Sequence, residues 1–208
     1  MLNLDSLIIE FDKGLRTLLS QARSTRVHPG IVLNERDLSK AEKRHSAALM
    51  RINHCGEICA QALYQGQALT ARDPELKLKM NDAAKEETEH LAWTAHRVHE
   101  LGGNLSVLNP FWYANSLTIG VVAGVFGDKW SLGFLAETER QVGAHLQTHL
   151  VKLPEQDLKS RAVVQQMYID ETSHAEMAQA LGAAELPLPV KLAMQLSSTL
   201  MTKTAYWV

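Results

Sequence analysis

Glu87-Thr88-Glu89-His90 and Glu171-Thr172-Ser173-His174 are two copies of one pattern, Glu-x-x-His. Three residues along an α-helix turn through about 300°, so the Glu and His of each copy leave the same face. Each copy has a lone glutamate on the preceding predicted helix, Glu57 before the first and Glu139 before the second. The separations nearly repeat: 30 residues from Glu57 to Glu87, and 32 from Glu139 to Glu171. Two Glu-x-x-His helices and two single-glutamate helices make the ligand set of a carboxylate-bridged two-metal site inside a four-helix bundle.

Alone, Glu-x-x-His is a weak signal, because charged helices produce it by chance. The faces on which the copies lie strengthen it. Met80, Ala84, Glu87, Leu91, Thr94, Val98 and Leu101 form one predicted inward stripe, with His90 beside Glu87. Val164, Met167, Glu171, Ala175, Ala178 and Leu181 form another, with His174 beside Glu171. Leu132, Leu135, Ala136, Val142, Gly143, Leu146 and Leu150 surround Glu139 at helical spacing. A glutamate on a core face is costly unless paired or metal-bound, and four together would repel one another into protonation. Two divalent cations balance four carboxylates with both histidines neutral. The opposing reading is a set of solvated helix residues. Glu86, Glu89 and Glu137 lie off the stripes or outside the repeat, so they are expected to be solvated or to back the ligands from outside. His145 is a candidate for lining the site or orienting a ligand, and His149 for a structural role.

The rest of the chain reads as all-α. Leu4, Leu7, Ile8, Phe11, Leu15, Leu18 and Leu19 recur at helical spacing and predict an amphipathic helix of about five turns. Residues 24–34, with Pro29-Gly30, read as an irregular connection. Further helices are expected over about 41–71, from Pro74 to Gly102-Gly103, from Asn109-Pro110, over 131–151, over 157–181 and after Pro187. We divide the 208 residues into an N-terminal helix and connection, 1–40, and a helical bundle domain, 41–208. The formal charge of −2 comes without a basic stripe, which excludes nucleic acid as an expected partner. Cys55 and Cys59, at i and i+4, read as reduced, small apolar residues. Asp5, Glu10 and Asp12, without a basic leader before an apolar run, lead us to expect no secretory signal.

Carboxylates with two imidazoles suit iron or manganese, and zinc sites have fewer carboxylates or some cysteine. Iron is the expected metal because a redox-active pair can reduce and split O2, which side chains cannot do unaided.

Glu57, Glu87, His90, Glu139, Glu171 and His174 resemble the ligands of the ferritin-like carboxylate-bridged di-iron proteins. Met50-Arg51-Ile52-Asn53-His54-Cys55-Gly56-Glu57 closely resembles the M-R-[VI]-N-H-x-G-E signature of the demethoxyubiquinol hydroxylases. The apolar segment after Asn109-Pro110 and the Asp170-Glu171-x-x-His174 run resemble that family too. The likeness runs from about Ala48 to the C-terminus. It implies a ferritin-like bundle and a monooxygenase that uses O2 and two iron ions. The implied substrate is a polyprenylated methoxy-methyl-benzoquinol, hydroxylated at its open ring carbon to demethylubiquinol. One oxygen atom enters the ring and the other leaves as water. The resemblance also implies Glu57, Glu87 and His90 for one iron and Glu139, Glu171 and His174 for the other, with Glu87 and Glu171 as bridges. The family's eukaryotic members carry a tyrosine where this chain has Leu146, which puts any role of that tyrosine out of reach here.

A polyprenyl quinol lives in the bilayer, so its enzyme must touch lipid. The segment 105–127 offers Phe111, Trp112, Tyr113, Leu117, Ile119, Val121, Val122, Val125 and Phe126, and is read as membrane-facing. Trp130 and Tyr206-Trp207 suit a headgroup interface. The expectation is peripheral attachment at the cytoplasmic face of the cell membrane. The alternative is that this helix packs in the core or in a dimer contact. A homo-oligomer or a ubiquinone-biosynthesis assembly partner is compatible with the sequence. Competing functions are a ferritin-like oxidase or peroxidase, against which the long apolar segment counts, and a non-enzymatic membrane-associated lipid-binding protein with solvated carboxylates.

Overall fold

In the computed structural model, residues 4–34 and 37–208 are described, apart from the side chains of Ser6 and Leu7, so Leu7 of the expected N-terminal stripe lies outside the described side chains. Among the described residues, seven helices follow one another: α1 (Leu4–Leu19), α2 (Lys40–Thr70), α3 (Pro74–Glu100), α4 (Asn109–Val125), α5 (Asp128–Lys152), α6 (Leu158–Ala180) and α7 (Leu188–Ala205). Helices α2 and α3 form one hairpin and α5 and α6 a second, and the two pack face to face as a ferritin-like four-helix bundle. The crossover between the hairpins is α4, laid along α2.

Local chemistry sets the helix ends where the sequence placed them. Ser39 and Glu42 form a capping box at the start of α2, with Ser39 N donating to Glu42 Oε2 at 2.8 Å and Glu42 N to Ser39 Oγ at 3.3 Å. Asp73 caps α3 ahead of Pro74, and Asp157 caps α6. Gly102 and Gly182 have φ of +75° and +88°, the left-handed conformation that ends a helix. Helix α5 begins at Asp128, three residues before the expected start. There the Asp128 carboxylate accepts from the backbone N–H groups of Arg72 and Asp73, both at 3.0 Å, and so ties the α2–α3 turn to the second hairpin.

The glycines of the apolar segment are packing contacts. A Cβ on Gly120 would lie 2.4 Å from Leu63 O, and one on Gly66 would lie 2.5 Å from Leu117 O. Helices α2 and α4 therefore meet backbone to backbone. Trp112, Tyr113, Ser116, Ala123 and Gly124 are buried there, while Phe111, Val122, Val125 and Phe126 remain exposed. One face of this helix therefore packs in the core, as the alternative reading expected, and the other is an exposed apolar face. Among the described residues, no helix is long and apolar enough to cross a membrane.

Arg51, from the signature on α2, locks α7 in place. Its Nε donates to Ala205 O at 2.7 Å, and its Nη groups donate to Asn104 O and Tyr206 O. The last carbonyls of α7 are thereby satisfied by a cation, as the helix dipole favours.

Candidate metal centre

Each bundle helix contributes ligand candidates from its inward stripe. Helix α2 brings Glu57, α3 Glu87 and His90, α5 Glu139, and α6 Glu171 and His174. All six side chains are buried, Glu87 and His90 completely. They form two groups, Glu57–Glu87–His90–Glu171 and Glu87–Glu139–Glu171–His174. Within each group the ligand atoms lie within 4.8 Å of one another, and Glu87 and Glu171 belong to both. All six residues singled out from the sequence are brought together.

The histidines present the same nitrogen to the cluster. His90 Nδ1 is 3.0 Å from Glu87 Oε2, 3.3 Å from Glu171 Oε1 and 3.6 Å from Glu57 Oε2. His174 Nδ1 is 3.4 Å from both Glu87 Oε1 and Glu171 Oε2. Each Nε2 points outward to a carboxylate at 3.0 Å, Asp170 Oδ2 for His90 and Glu86 Oε2 for His174. Such backing fixes ring orientation and raises the ligand nitrogen's basicity.

The residues fit a pair of cations. Glu87 Oε1, Glu171 Oε2 and His174 Nδ1 are buried without a hydrogen-bond partner. Unpaired buried acceptors are rare, and here they converge. The donor set is four carboxylates and two imidazoles, the mixture that suits iron or manganese. Without cations, protons must do the balancing. Burial and the neighbouring Glu87 push the Glu57 carboxyl well up, and burial and Glu171 do the same to Glu139. Burial opposes charge on Glu87 and Glu171 too. In Glu87, hydrogen bonds to His174 and His90 outweigh it; in Glu171, bonds to the same two histidines do so against repulsion from Glu87 as well. Burial disfavours a charged His90 and His174, but the surrounding carboxylates raise both, His174 to about 12.

The acidic residues off the stripes play different parts. Glu86 backs His174 while remaining exposed. Glu89 is buried, not solvated: it accepts from the backbone N–H groups and hydroxyls of residues 24–26. Glu137 is buried as well, against Arg140, Gln141 and Lys191. The His145 and His149 rings lie 4.0 Å apart between centroids, tilted by 58°, and neither residue belongs to either ligand group. His149 is buried and structural; among the described contacts none joins His145 to a ligand. Cys55 and Cys59 are free thiols.

Two residues take positions that the sequence reading does not assign them, Asp170 entering it only within the Asp170-Glu171-x-x-His174 run. Tyr64, buried, donates to Glu139 Oε1 at 2.6 Å. Burial and Glu139 hold its phenol protonated, so it remains a donor. Its position seven residues after Glu57, on the same stripe, was an available signal. Asp170 is the other. The need of a buried histidine for a partner on its second nitrogen would have pointed to a carboxylate near the second motif.

An apolar cavity of about 330 Å3 lies between α2, α4, α5 and α7. Gly56, Cys59, Ala60 and Leu63 line it from α2, and Thr138 and Val142 from α5. Ala60, Leu63 and Thr138 also line a small void that reaches Tyr64 and Glu139. The cavity thus backs onto the metal-ligand cluster.

Comparison with known proteins identifies the family. Residues 44–205 match the family described as ubiquinone biosynthesis protein COQ7. The 3-demethoxyubiquinol 3-hydroxylase of Nitrosomonas europaea is 64% identical over 208 residues, the whole of both chains. The protein of the same name from Chromobacterium violaceum is 63% identical over 205 residues, 99% of this chain and 100% of the relative. That of Nitrosospira multiformis is 62% identical over 208 residues, again all of both chains.

Proposed function

The chain belongs to the ubiquinone biosynthesis protein COQ7 family, and on that premise we propose that it is a di-iron monooxygenase that hydroxylates demethoxyubiquinol in ubiquinone biosynthesis. The observation that carries the metal reading is the pair of buried ligand groups sharing Glu87 and Glu171. Bound iron would supply the reduction and splitting of O2 that no side chain performs.

The chain's own residues do the rest. Glu57, Glu87 and His90 would hold one iron, and Glu139, Glu171 and His174 the other, with Glu87 and Glu171 spanning both. Tyr64 keeps Glu139 Oε1 engaged and so orients that carboxylate. Asp170 and Glu86 fix the two imidazole rings. The apolar cavity suits a quinol ring with the first part of its prenyl chain, and its contact with the Glu139 side of the cluster supports binding there. Apolar walls exclude bulk water from the reacting ring.

A membrane-resident substrate calls for a lipid-facing surface. Helices α4 and α7 both line the cavity and both carry exposed apolar residues: Phe111, Val122 and Val125 on α4, with Phe126 just past its end, and Leu188, Leu192, Leu196 and Leu200 on α7. The α7 leucines recur every four residues, a single stripe. Helix α1 adds Ile8, Phe11 and Leu19. These surfaces support peripheral attachment to the cytoplasmic face of the cell membrane. A homo-oligomer or an assembly partner would compete for the same apolar faces.

The test combines metal and substrate. The purified protein is loaded anaerobically with Fe(II), analysed for iron, then given demethoxyubiquinol, a reductant and O2. Two irons per chain and a product heavier by one oxygen are expected. Absence of bound iron, with unchanged stability in Glu171→Ala, would favour a non-enzymatic helical protein. Two irons without hydroxylation would favour another di-iron chemistry. Co-sedimentation with anionic vesicles, weakened by Leu192→Glu/Leu196→Glu, tests the membrane surface.

A further inference from the structure

The segment that leads from α1 toward α2 passes over the metal-ligand cluster instead of merely connecting two helices. Glu89, buried and adjacent to His90, accepts from Thr25 N at 3.0 and 2.9 Å, from Arg26 N at 3.2 Å and from Thr25 Oγ1 at 2.6 Å, and Ser24 Oγ donates to it as well. Trp93, three residues past His90, donates from Nε1 to Ser24 Oγ at 3.0 Å. The Arg26 guanidinium lies 4.9 Å from the Trp93 ring centroid, and the Trp93 and His90 rings are 5.4 Å apart. One carboxylate and one ring, on either side of His90 in sequence, therefore fix where Arg26 sits.

From that position Arg26 reaches Asp170. Its Nη1 donates to Oδ2 at 2.8 Å and its Nη2 to Oδ1 at 3.3 Å, a two-pronged contact. Gln166 holds Oδ1 at 2.9 Å. Asp170 Oδ2, shared between Arg26 and His90 Nε2, is thereby left little freedom to turn. A carboxylate free to rotate would hold the imidazole loosely; a clamped one fixes both its tautomer and its plane. Residues 24–26 lie outside the 44–205 stretch matched by the family.

We propose that the 24–26 strap is a working part of the metal centre, with Arg26 as a positioning residue that acts through Asp170 on the metal-facing ring of His90. The inference rests on the metal reading above. It separates from a packing role because packing alone has no reason to alter how tightly the metal is held or what ligand field it feels.

The experiment compares wild type, Arg26→Ala, Arg26→Lys and the exposed control Arg23→Ala, each loaded with Fe(II) or Co(II). Thermal melts check folding. Rates of iron loss to a chelator and the visible spectrum of the cobalt form are the readouts. Arg26→Ala is expected to lose iron roughly 10–100-fold faster and to shift the cobalt bands, as changes behind metal-bound histidines do. Arg26→Lys, which keeps the charge but not the fork, should fall between, and Arg23→Ala should match wild type. If Arg26→Ala proves too unstable to load, Arg26→Lys decides by the same two readouts. Iron loss within twofold of wild type and an unchanged cobalt spectrum, whatever the melting temperature, would overturn the proposal alone. A wild-type protein that binds neither metal would overturn it together with the metal reading.

Discussion

Gly56→Leu sets stability against activity, with opposite signs expected. Gly56 lies in the interior of α2, and a Cβ there meets no atom within 4 Å. Gly56 lines the apolar cavity, so a side chain that starts there has that space to enter. Glycine in a helix interior costs roughly 0.5–1 kcal/mol relative to alanine, so the leucine variant should melt at or slightly above wild type. The same side chain takes space from the quinol. Overfilling a packed apolar space costs about 1–3 kcal/mol, which converts to a loss of about 5- to 150-fold in kcat/KM. Gly56→Ala should give a smaller loss in the same direction. The assay is hydroxylation of a short-chain demethoxyubiquinol by iron-loaded enzyme, with iron content and thermal melts measured on the same samples. Unchanged kcat/KM would refute the assignment of the cavity to the substrate. A loss of activity matched by a loss of iron would show that the substitution acts through neighbouring Glu57.

Three further outcomes follow from the geometry. Loading metal-free protein at pH 7 should release protons, up to four for two cations, because Glu57, Glu139, His90 and His174 all sit above their ordinary pKa values until cations replace protons; calorimetry in buffers of different ionisation enthalpy measures the number, and no release would refute that balance. Gly120→Ala should destabilise by about 3 kcal/mol, because its Cβ falls 2.4 Å from Leu63 O and no side chain can yield; a melting temperature within two or three degrees of wild type would contradict the close α2–α4 contact. Burial lowers His54 and His145 to about 4 and His149 to about 2, so stability from keeping them neutral is complete above the unfolded value near 6.5 and is lost as pH falls below it. Each contributes roughly 1.4 kcal/mol per pH unit in that window; His149→Leu should flatten the acid limb of stability relative to wild type, and parallel curves would refute the neutral buried imidazole.

The ligand set was legible because it follows the helical period. Glu87 and His90, or Glu171 and His174, share a face at i and i+3 whatever surrounds them, and an ionisable residue on an apolar stripe declares its burial. The same logic reached Gly102, Gly182 and Asp73-Pro74 as helix ends, since caps are local chemistry. It left open whether Glu89 and Glu137 are solvated or back the ligands from outside, and both are buried. Glu89 is satisfied by residues more than sixty positions upstream, whereas Glu137 has Arg140 and Gln141 on its own helix and Lys191 from α7. For the apolar segment the sequence leaves a lipid-facing surface and core packing as alternatives; its glycines turn one face onto α2 and leave the other outside.

What the sequence determined by itself was therefore periodic and local: all-α architecture, helix ends, and which side chains had to face a core too costly for them without metal. Tertiary structure decided everything that depends on two distant segments meeting. It placed Tyr64 on Glu139, carried Arg26 across to Asp170, and opened a cavity between α2, α4, α5 and α7 beside the ligands. The physical reason is that a helical stripe specifies a direction, whereas a hydrogen bond across the bundle specifies a distance. Only the packed bundle, with its backbone contact at Gly66 and Gly120, sets those distances.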